Sequence, residues 1–239
     1  MLPEEYNCIE RFRNFVHGCF HNHPDLKNCE GAKEKHINVI KKLAGQYQLP
    51  SLYLGYLAHY GANDGPIELG EDCACSALAV IKYINKNRRG EWPLTTDNGV
   101  LISNHSLSFA GSLIYLDKRK EPYVAITEGD FISEIIADSF GTFLYRQVWL
   151  HRYFFGHKEQ SSHLHGHRSI SFDKIEHAVE TIGFSTTFFS DDYRFTAEYG
   201  ELKLFAWKNV DSLCVSIVAS ELWLSHLYAD KLAKLLQMK

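Results

Sequence analysis

Apolar residues recur at helical spacing in the first ninety positions and predict four helices. They cover residues 6–20, residues 33–47, a segment that opens at Pro50, and residues 77–88. Gly61 should end the third helix as a left-handed cap, the conformation that glycine adopts most readily. The side of the fourth helix that we expect to be buried carries Leu78, Ile81 and Ile84.

Short β-like runs replace the helical pattern after the fourth helix. They lie at residues 100–102, 112–116 and 122–127 and are separated by turn-forming residues, which predicts a meander of antiparallel strands. Residues 132–150 are ambiguous. Their apolar positions fit one long helix, while Ser139 could equally be the N-cap of a shorter one.

The second half of the chain is set apart by a polar, histidine-rich stretch. Because its composition shifts so sharply, we interpret residues 156–170 as a linker or loop between a core at 1–155 and an extension at 171–239. The extension predicts a helix at 173–182, strands at 186–189, 193–198, 201–207 and 213–219, and a leucine-rich helix at 221–236. The whole chain is therefore expected to be α+β.

The amino-acid composition excludes several classes of protein. With 45% hydrophobic and 13% aromatic residues, the 239-residue chain can form a substantial core. Lys and Arg number 25 against 29 Asp and Glu, a net charge of −4, so nucleic acid is not expected as the main ligand. The start of the chain lacks the pattern of a secretory signal, no span of bilayer length is free of polar residues, and the six cysteines can all be reduced thiols. We therefore expect a cytoplasmic protein without membrane contact.

Histidine and cysteine groupings are the candidate metal ligands. An extended segment would place His163, His165 and His167 on one side, and Cys19, His21, His23 and Cys29 are of a type that suits zinc. Neither grouping contains a Cys-x-x-Cys pair, so a solvated linker and a helix terminus are the alternative interpretations. Since phosphate-loop, nucleophile-elbow and His-Glu-x-x-His motifs are also missing from the sequence, we assign no cofactor, metal or catalytic residue.

Residues 35–145 contain a series of sequence features in a defined order. An amphipathic helix precedes Leu49-Pro50, a hydrophobic helix ends at Tyr60-Gly61, Trp92-Pro93-Leu94 leads into a strand, and the block at residues 136–144 reads Ile-Ala-Asp-Ser-Phe-Gly-Thr-Phe-Leu. This order resembles the SUKH superfamily, which unites bacterial toxin-immunity proteins with yeast cell-wall-synthesis regulators. Residues 151–239 lie outside the resemblance, and Ala62 stands where a second glycine often follows.

The resemblance implies a fold and a way of working. The fold is a central, mostly antiparallel sheet packed by helices, here with a C-terminal α+β extension. It also implies that residues 134–137 form a strand and that Asp138 or Ser139 starts the next helix. The implied function is that of a non-enzymatic immunity protein, which masks the active site of a cognate bacterial toxin. A regulatory scaffold without a toxin partner and a zinc-dependent enzyme that uses the histidines are the alternatives.

Two acidic stretches suggest where a protein partner would bind. Residues 61–75 and residues 121–138 contain no Lys or Arg, so each would attract a basic toxin domain and speed its association. A solvated acidic face without a partner is the alternative. The oligomeric state is left open. The residues that we predict to contact the partner, with an exposed tyrosine as an anchor, are Asp64, Glu68, Glu71, Asp72, Tyr123, Glu128 and Asp130.

Overall fold

The chain divides into two units in its computed structural model. The structure describes residues 2–44, 48–67, 69, 73–74, 76–87, 99–105, 110–115, 123–128, 131–154, 160–209 and 211–238. One unit is Met1–Val148 and the other is Trp149–Lys239. The division therefore falls inside a helix, before residue 155, where the sequence pattern places the end of the core.

The helices of the N-terminal unit lie where the apolar spacing predicts them. Each is amphipathic or apolar enough to bury at least one side against its neighbours. They are α1 Ile9–Phe20, α2 Glu34–Leu43, α3 Ser51–Tyr60 and α4 Ala77–Asn87, with short 3-10 turns at Glu4–Tyr6 and Pro24–Asn28.

Aromatic rings join α1 to the rest of its unit. Phe12 is fully buried and meets the rings of Tyr60 and Tyr145 edge to face, with centroids 5.8 and 5.3 Å apart. The hydroxyl of Tyr145 donates to the backbone oxygen of Tyr6 at 3.0 Å. Edge-to-face pairs stabilise a core beyond the area that they bury, so these rings fix the position of α1.

Two details of the helices differ from the prediction. Gly61 ends α3 in a right-handed conformation, with φ −74° and ψ −2°, so the predicted left-handed cap is wrong. Glycine is needed there because a Cβ would lie 2.5 Å from the carbonyl oxygen of Leu57. On α4, Leu78 is 44% exposed, whereas Val80 and Ile84 are buried, so the buried side is turned relative to the predicted one.

The predicted meander is confirmed as a five-stranded antiparallel sheet. Its strands pair in chain order, which is the simplest arrangement for consecutive hairpins. They are β1 Cys73–Ala74, β2 Gly99–His105, β3 Ala110–Tyr115, β4 Val124–Glu128 and β5 Phe131–Ala137. The Trp92-Pro93-Leu94 segment, which the sequence places before a strand, lies outside the described residues.

The ambiguous segment at residues 132–150 is a strand followed by a helix. After β5 the chain turns at Ser139 and enters α5, Phe140–Tyr153. The hydroxyl of Ser139 accepts a hydrogen bond from the backbone nitrogen of Thr142 at 3.1 Å, the geometry of an N-cap. The guanidinium of Arg146, 2% exposed, donates to the backbone oxygen of Ile136 and ties helix to strand. The strand and helix start that the resemblance implies are thus confirmed.

The C-terminal unit contains a second five-stranded antiparallel sheet, in the order β6-β10-β9-β8-β7. Its apolar core includes Ile175 and Leu232 from two helices and Leu204 and Val215 from the sheet. The elements are β6 Ser161–His167, α6 Phe172–Thr181, β7 Ser185–Thr186, β8 Arg194–Tyr199, β9 Leu202–Lys208, β10 Ser212–Val218 and α7 Leu222–Leu236.

The linker prediction is wrong for the histidine-rich stretch. Residues 161–167 form β6, an outer strand that pairs along its whole length with β10. Polar composition suggested a loop, but a strand with one exposed face needs apolar residues only at alternate positions. The predicted α+β fold with antiparallel sheets is nevertheless confirmed. Within the described part of the chain, no helix has the length and apolarity needed to cross a membrane.

Candidate interaction surface

The described part of the first acidic stretch is anchored to the protein by hydrogen bonds and by buried apolar side chains. The carboxylate of Asp64 accepts a hydrogen bond from the hydroxyl of Tyr56 at 3.0 Å, and its backbone oxygen accepts one from the Cys29 thiol at 3.5 Å. Ile67 and Leu69 are 0% and 2% exposed. Asp64 is therefore at most a partial contact residue, because its charge is already used inside the protein.

The second acidic stretch does not present its predicted anchor. Tyr123 is 6% exposed, so the expectation of an exposed tyrosine is wrong. The backbone of Glu128 ends β4 and pairs with Phe131. The remaining predicted contact residues, Glu68, Glu71, Asp72 and Asp130, lie outside the described residues.

In the cysteine and histidine grouping at residues 19–29, His23 and Cys29 make hydrogen bonds to backbone atoms of the protein. The Nδ1 atom of His23 accepts a hydrogen bond from the backbone nitrogen of Asp25 at 3.3 Å and so caps the 3-10 turn. Burial, and secondly the Asp64 carboxylate, raise the pKa of Cys29, which keeps it a neutral thiol. Among the residues described, no three His, Cys, Asp or Glu side chains form a group that could hold a metal ion.

The three histidines of β6 do lie on one side of the strand, as their spacing predicts. His163, His165 and His167 are exposed, while Ser162 and Leu164, at the alternate positions of the strand, are buried. Each of the three histidines has a different polar partner. His165 Nδ1 lies 3.6 Å from the Sγ of Cys214, His163 Nε2 lies 3.0 Å from Ser161 Oγ, and His167 Nδ1 lies 2.7 Å from Ser169 Oγ.

Among the residues that the structure describes, the most exposed large apolar side chain, Trp223, lies on α7. Trp223 is 62% exposed, and Leu222 and Leu227 are each 42% exposed. We call these three residues the α7 patch. Trp223 and Leu227 are four positions apart and so share one side of the helix. Exposed polar residues Glu221, His226 and Asp230 lie beside them in the sequence of the helix. A grouped apolar surface with a polar rim is typical of a site that binds another macromolecule.

The sequence contained a signal for this patch. The sequence predicts a leucine-rich helix at residues 221–236 but does not by itself identify the buried side of that helix. The residues that α7 buries fully are Ser225, Ala229 and Leu232, which share one side. Trp223 and Leu227 are left over when that side is assigned, and a helical projection of the sequence separates them from it. Leu222, seven positions before Ala229, lies at the edge of the buried side.

No family model matches the chain, and neither a curated protein nor a solved structure is similar to it. The function proposed below therefore rests on the residues of this chain and on the resemblance described above.

Proposed function

We propose that this chain is a non-enzymatic protein-binding module that neutralises a basic bacterial toxin domain by covering its active site. The observation that carries the proposal is the α7 patch, because Trp223 and its two leucine neighbours remain exposed where a folded chain normally buries such side chains. Tryptophan is also among the residues that contribute most to binding energy when an interface forms around it.

The order of elements in the N-terminal unit supports the immunity part of the proposal. An amphipathic helix, Leu49-Pro50, the apolar helix α3 and Gly61 come first, followed by the antiparallel meander. The unit then passes from strand β5 through Ser139-Phe140 into a helix. This is the order on which the resemblance to SUKH proteins rests, and that superfamily includes toxin-immunity proteins.

Charge supports a basic partner. The chain has a net charge of −4, and residues 61–75 and 121–138 carry carboxylates without a single Lys or Arg. Toxin domains that cleave nucleic acid need basic surfaces to hold phosphates. An acidic binding protein would speed the encounter with such a domain and would repel its nucleic-acid substrate.

Coexpression tests the proposal directly. The proposal predicts that a gene next to the one for this chain encodes a toxin. The chain is produced together with the toxin domain of that gene, and growth is compared with that of cells producing the toxin domain alone. We expect rescue by the wild type and a complex that binds at least about tenfold more weakly when Trp223→Ala and Leu227→Ala are combined. Isothermal titration calorimetry measures the affinity.

Val39→Ala is the matched control. Val39 is 38% exposed on α2, outside the α7 patch and outside both acidic stretches, so its loss should leave rescue and affinity unchanged. Circular dichroism checks that each variant is folded. Failure of the wild type to bind or rescue would contradict immunity. Binding that is equal for the wild type and the double variant would contradict the α7 patch.

A further inference from the structure

A pocket of about 230 Å³ lies in the N-terminal unit and is lined almost entirely by hydrogen-bond donors. Arg13 and His17, one turn apart on α1, form one wall. His59 and Tyr60, at the end of α3, form another. Cys29 and Leu26 complete the lining from the 3-10 turn and the residue that follows it. The proposed function uses none of these residues.

The hydroxyl and the thiol in this pocket stay protonated at neutral pH. Burial raises the pKa of Tyr60 to about 12, with Arg13 acting in the opposite direction through its charge and a hydrogen bond to the phenol oxygen. Burial also raises the pKa of Cys29, and the Asp64 carboxylate adds to this. Each side chain is therefore neutral and adds no negative charge to the pocket. The hydrogen of the Cys29 thiol is bonded to the backbone oxygen of Asp64, so the Tyr60 hydroxyl is the neutral donor of the two.

The charge balance of the pocket is opposite to that of the chain. Arg13 is permanently positive, and none of the described lining residues carries a carboxylate. Asp64, whose negative charge raises the pKa of Cys29, is not among the lining residues, and its carboxylate accepts a hydrogen bond from the hydroxyl of Tyr56. In a chain of net charge −4, such a pocket selects for an anion.

We propose that this pocket binds the phosphate group of a small molecule. A phosphate accepts several hydrogen bonds at once, which matches the donor side chains that α1 and α3 present to the pocket. The guanidinium of Arg13 supplies the charge and the planar pair of donors that suit phosphate oxygens. The volume of the pocket fits a small phosphate compound and is too small for a folded partner.

Calorimetric titration with inorganic phosphate tests the site, with sodium acetate and sodium chloride at matched ionic strength as comparison anions. We expect saturable binding of phosphate, weaker binding of acetate and none of chloride. Arg13→Gln should reduce the phosphate affinity at least about tenfold, because a charge-assisted pair of hydrogen bonds is lost. Arg11→Gln, on the same helix but outside the pocket, should leave the affinity unchanged.

His59→Gln provides a second variant, so the proposal stays testable even if Arg13→Gln fails to fold. We expect it also to weaken phosphate binding. A third arm presents vesicles that contain phosphatidic acid in a neutral lipid. Binding to these vesicles without binding to free phosphate would overturn the proposal, as would equal losses from Arg11→Gln and Arg13→Gln, or acetate binding as tightly as phosphate. Toxin rescue is read separately, so failure here leaves the proposed function unaffected.

Discussion

Helices α3 and α7 are both rich in apolar residues, but the protein uses them in different ways. Helix α3 buries Leu52, Tyr53, Tyr56, Leu57 and Tyr60, nearly its whole apolar content. Helix α7 buries only Ser225, Ala229 and Leu232 fully and leaves the α7 patch exposed. A similar apolar content thus stabilises the core in one helix and remains available for a partner in the other.

The difference shows that burial, rather than residue type, decides what an apolar side chain contributes. A buried leucine contributes to the free energy of folding through the water-accessible area that it loses. An exposed one contributes little to folding, so its presence in a group calls for another role. The same reasoning extends to polar groups, where burial decides how much a charge or hydrogen bond matters.

The largest expected effect separates the two helices directly. Leu57→Ala on α3 should lower the free energy of unfolding by about 2–5 kcal/mol, because Leu57 is 0% exposed and its loss leaves a cavity. Leu227→Ala on α7 should change it by no more than about 0.5 kcal/mol, since Leu227 is already 42% exposed. Urea denaturation measures both. Equal losses would mean that α7 contributes to folding as α3 does.

A titratable side chain gives the next largest effect. Burial lowers the pKa of His151 to about 4, while the unfolded chain should titrate near the usual 6.5. Below pH 6.5 the unfolded chain therefore binds a proton that the folded chain excludes. The stability contributed by neutral His151 is complete above pH 6.5 and is lost as the pH falls toward 4, by about 2 kcal/mol once partial exposure is considered.

Denaturation of the wild type and of His151→Gln at pH 7 and pH 4.5 tests this sign. The variant should lose less stability on acidification than the wild type. Tryptophan fluorescence is a suitable signal, because Trp149, Trp207 and Trp223 all lie in the same unit as His151. His163→Gln is the matched control on the exposed face of β6. An unchanged pH dependence in His151→Gln would show that its burial has no energetic consequence.

Much of the fold could be predicted from periodicity, and the errors have physical causes. Helix α3 and the β-like run that ends at residue 127 could be predicted because apolar residues predominate in both. Spacing cannot show how deeply a side chain lies, so Tyr123 was expected at the surface. Spacing also cannot show how closely backbone atoms approach one another, so the left-handed conformation predicted for Gly61 was wrong.

The candidate sites were harder to predict than the fold. The phosphate pocket brings together Arg13, Cys29 and His59 from separate parts of the chain, and only tertiary packing makes them neighbours. To predict the α7 patch from the sequence, one needs to know only which side of α7 faces the core. Acidic runs were visible in the sequence, but Asp64 shows that a run of charge need not form a free surface.

The smallest expected effect compares a buried and a more exposed helix cap. Ser139→Ala should cost about 1–2 kcal/mol, because the backbone nitrogen of Thr142 loses its acceptor and the Thr142 hydroxyl, 1% exposed, loses a donor at 2.9 Å. Ser171→Ala, at the start of α6, removes one bond to the backbone nitrogen of Lys174 at 3.3 Å. Solvent can replace that acceptor, so we expect a loss of about 0.5 kcal/mol. Urea denaturation of the two variants measures the difference, and a larger loss from Ser171→Ala would show that burial does not set the strength of these caps.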